Sequence, residues 1–414
     1  MTLYAVYVET DEAGRVMAHV PSLPGCIVRG DVLDRVSESV PAVIREYTAW
    51  LEGHGVAVPP ENEPVEVETT ECVEGVGPFN PGDVAALFPP DEASLTPEGV
   101  QRYLHLMAFS RADLLVLVSD LPDALLDWQA DADSLSLRRL LRHVGNAEEW
   151  YVSRIVNPDT LPQEWKHDGD MPILEFLEME RRTAVERLRE LTEAERTEVV
   201  RCARWTEHPE EPWTARKVLR RFLEHEREHT AQARQILLNW WELEGRKAKA
   251  GPKEGLLAAL MVAREELLSA MATISPHERE TEPVSGEWTL KDIVVHIAAW
   301  ERLGAEGLRH MGGGRTPHVE HVADIDAWNQ AQCEACRDRS WEHVWSEFHA
   351  TRMETVDALD AISLADLHKT YPFPWGEEGT AYQWVGIYVD HDWEHARDLM
   401  HARSWSQIGD KSLP

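Results

Sequence analysis

The chain has 414 residues, with 43% hydrophobic side chains and a formal net charge of -33. That length predicts two to four domains, and the composition supports real cores. The strong negative charge repels phosphate backbones and anionic lipid, so neither nucleic acid nor a membrane surface is expected as a general partner.

Five cysteines, Cys26, Cys72, Cys202, Cys333 and Cys336, are too few and scattered for a disulfide framework. The start, MTLYAVYVETDEAG, is polar within nine residues and does not read as a signal peptide. No apolar run approaches the roughly 18 residues that a spanning helix needs. The expected location is the cytoplasm.

Residues 1–75 read as β followed by α. Tyr4 to Val8 alternates as a strand, Asp11 to Gly14 is a turn, and Val16 to Val20 is a second strand. The segment Pro21-Ser22-Leu23-Pro24-Gly25 interrupts, and Cys26 to Val28 resumes. Asp31 is placed to cap a helix carrying Val36, Val40, Ile44, Tyr47 and Leu51 at helical spacing, stopped by Gly53 and Gly55. Val65 to Glu68 alternates as an edge strand. Strand Tyr4–Val8, the segment HVPSLPGCIVRGD (His19 to Asp31) and the amphipathic helix together resemble the HicB-like antitoxin fold. The resemblance implies a protein partner of toxin type; the DNA-binding helical part that often follows in that family is missing. Residues 1–75 hold 14 acidic and 4 basic side chains, which suits a basic protein partner. A purely structural role is equally compatible.

Residues 76–95, rich in Gly and Pro, read as a linker. Beyond them the pattern is helical and it repeats. Amphipathic segments near 97–119, 135–155, 172–194 and 212–241 are followed by four more near 252–274, 289–310, 340–361 and 381–403. Four such helices make one up-and-down bundle. The expected fold is mainly α with a small N-terminal α+β domain and two tandem four-helix bundles, at 96–243 and 252–405. The basic, Gly-flanked stretch Glu244–Pro252 divides them.

Each set carries a histidine in the apolar stripe of its second helix, His143 and His296, and an H-x-x-x-H pair in its fourth, His225/His229 and His391/His395. Residues four apart stack on one helix face with Cβ atoms about 5–6 Å apart, so the pair can grip one cation. A third imidazole from a facing helix completes a three-nitrogen set that leaves a position open, as in catalytic metal sites. Trp300, one turn after His296, is placed to wall the same cavity, and Trp150 has a looser analogous place in the first set. No residue is assigned a catalytic role. The flanking carboxylates Glu224, Glu226, Glu228, Asp390, Asp392 and Glu394 are expected mostly on the solvated face. Cys333-x-x-Cys336 has no second pair and does not read as a zinc ribbon.

Both sets resemble the DinB/YfiT-like superfamily of four-helix bundles. The segment Trp288 to Glu301 (W-T-x-K-D-I-x-x-H-I-x-x-W-E) is similar to that family's second helix, and Asp324 to Asn329 to a stretch before its third. The first set departs, with Gly145 close after His143 and Trp150 seven residues on rather than four. The resemblance implies a divalent ion, zinc or nickel foremost with iron or manganese also compatible, on His296, His391, His395 and on His143, His225, His229. It implies thiol transferases, thiol-dependent isomerases and hydrolases among its members, so a small-molecule substrate is one reading. A non-enzymatic interaction protein working through the HicB-like domain is the other. An oligomer is compatible with both.

Overall fold

The structure, a computed structural model, describes residues 2–60, 63–74, 86–163, 165 and 171–409, except the side chains of residues 158 and 401–409. It is mainly α, with a small N-terminal α+β region. Four strands, β1 (Thr2–Thr10), β2 (Val16–His19), β3 (Ile27–Gly30) and β4 (Val65–Glu74), form one sheet in the order β3-β2-β1-β4. β1 and β2 are antiparallel, with Tyr7 opposite His19. β4 runs parallel to β1, with a register shift after Val6. A parallel return needs a long crossover, and α1 (Leu33–Gly53) supplies it, burying Val36, Val40, Ile44, Tyr47 and Leu51 along one face. Asp31 does not cap α1: the N-cap is Val32, extended and without a side-chain cap bond. Gly55, at φ +74°, takes the left-handed conformation that glycine adopts cheaply just past the helix end.

Of the expected linker, residues 76–85 lie outside the described residues. Residues 86–95 are packed: Phe88 is buried with its ring 5.2 Å from Tyr7 and His19, and Asp91 is buried.

Two compact units follow from the contacts. The first comprises residues 1–119, 126–129 and 133–234; the second comprises 120–125, 130–132 and 235–414. The first unit contains the sheet, α2 (Pro97–Val118), α3 (Leu137–Ser153), α4 (Ile173–Arg189) and α5 (Ala215–Leu243) as far as Arg234. The second contains α6 (Lys253–Ala272), α7 (Leu290–Met311), α8 (Ile325–Cys336), α9 (Trp341–Ala361) and α10 (Ala381–Gly409). Side-chain caps start several of these helices where the sequence turns helical: Thr96 accepts from Gly99 N, Ser136 from Arg139 N, and Thr289 with Asp292 makes a capping box. Among the described residues no helix is long and apolar enough to cross a membrane, and all five cysteines are free.

Within the first unit the sheet is fastened to α5 by buried charge. His19 on β2 lies between two carboxylates, with Nε2 2.8 Å from Glu9 and Nδ1 2.9 Å from Glu224. Arg220 donates to Glu224 and, through Nε and Nη2, to both oxygens of Asp91. Gly25, at φ +96°, lies against α5, where a Cβ would stand 3.2 Å from Leu223 Cβ and Arg227 Cδ. The segment that carries the HicB-like resemblance therefore rests on a helix of the first repeat.

Burial alone would lower the pKa of His19; the Glu224 and Glu9 carboxylates outweigh it and raise it above the ordinary value. A raised folded pKa means that the ion pair stabilises fully below the unfolded pKa of about 6.5 and is lost as pH rises through the folded value. We expect His19→Gln to lower the unfolding free energy from urea titration at pH 6 by roughly 3–5 kcal/mol, as for a broken buried pair. The gap between variant and parent should then shrink toward pH 9. A gap that widens with pH would contradict this account.

Candidate metal centres

α3 and α5 bring His143, His225 and His229 together, and α7 and α10 bring His296, His391 and His395 together. In the first group His225 Nε2 lies 3.0 Å from Nε2 of both His143 and His229. In the second, His391 Nε2 lies 2.7 Å from that of His296 and 3.2 Å from that of His395. A ring nitrogen has one in-plane site, holding either a lone pair or a proton. The central nitrogen therefore cannot make ordinary N–H···N bonds to both neighbours, whereas one cation satisfies all three lone pairs. Tetrahedral bonds of 2.0–2.1 Å would set ligand nitrogens about 3.3 Å apart, close to the spacings seen.

Electrostatics agrees with ligand duty, since a ligating imidazole must be neutral. Burial, then the neighbouring imidazoles, holds His225 and His391 well below the ordinary pKa. Burial and the nearby His395 push His296 down to about 3. Burial takes His229 down to about 4, and its Nδ1 meets Gln232 Oε1 at 2.9 Å, fixing the ring.

Behind each triad lies a buried ionic quartet that the sequence reading did not find. In the first unit Arg111 on α2 and Arg181 on α4 each bind Glu148 on α3 and Glu226 on α5. In the second, Arg264 on α6 and Arg352 on α9 each bind Glu301 on α7 and Asp392 on α10. The copies agree in detail: Arg181 also donates to Met107 O and Arg352 to Leu260 O. Glu226 and Asp392 directly follow His225 and His391, so each quartet fixes the helix of the histidine pair from behind. Burial would raise Glu226, but Arg111 and Arg181 outweigh it and hold its carboxyl low.

These acids were expected on the solvated face. Glu224 and Glu226 are 1% exposed and Asp392 is 0% exposed; of the other three, Glu394 is the one left open to solvent. The signal that could have found the quartets is common spacing: an Arg 32 residues before His143 and His296, a Glu five after each, and an acid after the first His of each pair.

The two triads differ in what stands beside them. A cavity of about 310 Å³ opens at the second, lined by His296, His391, Trp300, Trp375 and Tyr388, with Ile325 and Ile387 half-exposed at its lip. Among the described residues, the space beside His225 has no room for a water molecule. Three positions explain the difference. Counting from the α3 and α7 histidines, Ala147 stands where Trp300 does, and Tyr151 where Gly304 does; counting from His225 and His391, Phe222 stands where Tyr388 does. Tyr151 fills the space, its ring 5.3 Å from Phe222 and 5.6 Å from His225. Trp150 does not line that space. Its indole N–H donates to Trp205 O, and its ring packs edge-on against Trp213. Arg29 on β3 pairs with Glu228, next to the ligand His229, so the sheet also borders the first triad.

Cys333 and Cys336 are half-buried against the core of the second unit. Burial pushes the Cys333 thiol up to about 11, which suits packing rather than a reactive thiolate.

A family model described as the DinB superfamily matches residues 106–233 and 259–399, more than half of the chain. The N-terminal region is similar to the UPF0150 protein Ta0767 of Thermoplasma acidophilum, at 32% identity over 59 residues, which is 14% of this chain and 86% of that protein. No solved structure matches the chain.

Breaking a buried quartet leaves charges unpaired. Arg352→Met should destabilise the second unit by about 3–5 kcal/mol, read from urea unfolding, whereas the exposed Arg337→Met should stay within about 0.5 kcal/mol. Equal effects would show that the quartet does not hold the helices.

Proposed function

Because the chain belongs to the DinB superfamily through both of its helical repeats, we propose that each repeat is a four-helix bundle holding one zinc or nickel ion on its three histidines, and that the second is the centre of a metal-dependent enzyme. The superfamily is metal-binding, and the two three-histidine groups are consistent with that. The reaction class is thiol transfer or hydrolysis on a small molecule. The observation that carries the reading is the cavity beside His296 and His391; among the described residues the space beside His225 has no such volume.

A divalent ion on three imidazoles supplies Lewis acidity and lowers the pKa of a nucleophile. The chain's own residues do the rest. His296, His391 and His395 stay neutral and keep their lone pairs on one point. Arg264 and Arg352, through Asp392 and Glu301, hold α10 and α7 in register so that this point does not drift. Trp300 and Trp375 exclude water from the space where substrate would lie. At the first triad Tyr151 and Phe222 exclude substrate, so that ion has a structural role.

One observation favours a second role for the N-terminal domain, read as HicB-like. β4 is an edge strand with Glu66, Glu68 and Glu74 exposed, an acidic edge to which a basic protein partner could add. Co-purification of such a partner, lost on reversing those charges, is the result this role requires.

The central reading predicts two ions per chain by elemental analysis, falling to one in a His391→Ala, His395→Ala double variant. Turnover of 4-nitrophenyl acetate, or of 1-chloro-2,4-dinitrobenzene with a small thiol, should vanish in that variant and survive in His225→Ala, His229→Ala. A chain without metal, or turnover that persists without the second triad, would overturn it.

A further inference from the structure

The cavity of the second unit carries a more specific message about what it takes, if the reading of that site as substrate-binding holds. Its walls are Trp300, Trp375, Ile325 and Ile387, and among the described residues no Lys, Arg, Asp or Glu lines it. A charged group entering such a space loses its water without gaining a partner, which is strongly unfavourable. The rings of Trp300 and Trp375 stand 5.9 Å apart at 73°, with Trp328 packed at 4.5 Å from Trp300, so two walls form a corner for a flat apolar body. At about 310 Å³ the cavity is at the small end of ligand pockets, which run to roughly 1,000 Å³.

The polar groups on the wall are almost all committed. Trp300 Nε1 donates to Asn329 Oδ1 at 2.9 Å, and Trp375 Nε1 donates to Glu377 Oε2 at 3.1 Å. His296 and His391 point their Nε2 atoms at each other and at His395. Two are not: the Nδ1 of His296, buried without a hydrogen bond among the described residues, and the hydroxyl of Tyr388. The Tyr388 oxygen accepts from Trp384 Nε1 at 2.7 Å, and its own proton has no acceptor among the described residues. Gly304 makes room for this hydroxyl, since a Cβ there would run into the Tyr388 oxygen. Burial raises the pKa of Tyr388, so the group is an O–H donor at any working pH. Tyr388 is one helical turn before His391, while the Gly304 that its hydroxyl reaches is two turns beyond His296. The free donor therefore lies away from the imidazole nitrogens.

We propose that the second site takes a small, uncharged, flat apolar compound bearing an oxygen acceptor, packed in the corner formed by Trp300 and Trp375 with that oxygen hydrogen-bonded by Tyr388 and its other end toward the three histidines. Tyr388 is then a binding residue that sets specificity. The first repeat, with Phe222 at this place, lacks the donor as well as the space.

The test is direct binding to the full-length, zinc-loaded chain, read by fluorine NMR with three probes of similar size. These are 4-fluoroacetophenone, 4-fluoroethylbenzene and the 4-fluorophenyltrimethylammonium cation. The ketone should bind more tightly than the hydrocarbon. Tyr388→Phe should weaken the ketone about five- to tenfold, the worth of one hydrogen bond, and leave the hydrocarbon unchanged, which also shows that the variant keeps its pocket. Trp300→Ala should weaken both. A ketone affinity that ignores Tyr388→Phe, or a cation that binds more tightly than the ketone, would overturn the proposal. Turnover plays no part in the readout, so the enzyme reading and this one fail separately.

Discussion

Each helical repeat depends on one arrangement, two arginines and two carboxylates closed into a buried quartet across four helices. Charges so deep are unfavourable unless each finds its partner, and removing one strands the rest. That makes the quartet a register device. Arg111 and Arg181 meet Glu148 and Glu226 only if α2, α3, α4 and α5 are all in place. Glu226 is bonded to His225 in sequence, as Asp392 is to His391. The same contacts that order the helices therefore aim the imidazoles, and the fold and the geometry of the three-histidine groups rest on one set of interactions.

With that frame in common, the repeats part at three small positions. Glycine at 304 lets Tyr388 and a cavity exist; tyrosine at 151 packs that space shut. The first repeat also carries the sheet, fastened through His19, Glu224 and Arg220 on the same helix that holds His225 and His229. One copy is thus built into a closed unit with the N-terminal region, and the other keeps an open wall. A duplicated site of which one copy is plugged and welded while the other stays accessible is the layout expected when stability and chemistry are divided between them.

Much of this was legible in the sequence. Helical periodicity placed the eight long helices within about six residues of their ends, because an apolar stripe is a local signal. The four paired histidines stand out by their spacing, about one helical turn, and His143 and His296 by their place in the apolar stripe of a second helix. What escaped was tertiary. An acid one residue from a ligand points about 100° away, toward solvent on a singly covered helix. α5 is covered on two sides, so Glu224 faces the sheet while Glu226 faces α2 and α4, and both are buried. Trp375 comes to the cavity on the hairpin Thr370–Pro372/Glu378–Thr380, 75 residues from Trp300, which no periodicity shows. Trp150 stands seven residues after His143, not the four that separate Trp300 from His296, and its indole is drawn to Trp205 O. The Gly- and Pro-rich stretch looked like linker throughout, yet Phe88 and Asp91 are core residues of the first unit.

The central claim is that one chain holds two metal sites of unequal openness. Anomalous diffraction at the zinc edge, from crystals grown with zinc, tests it most directly. The account predicts two peaks per chain, each about 2.0–2.1 Å from three histidine nitrogens, with a non-protein fourth position facing the cavity at His296, His391 and His395. A peak at neither triad, or a fourth protein ligand closing the second one, would contradict it.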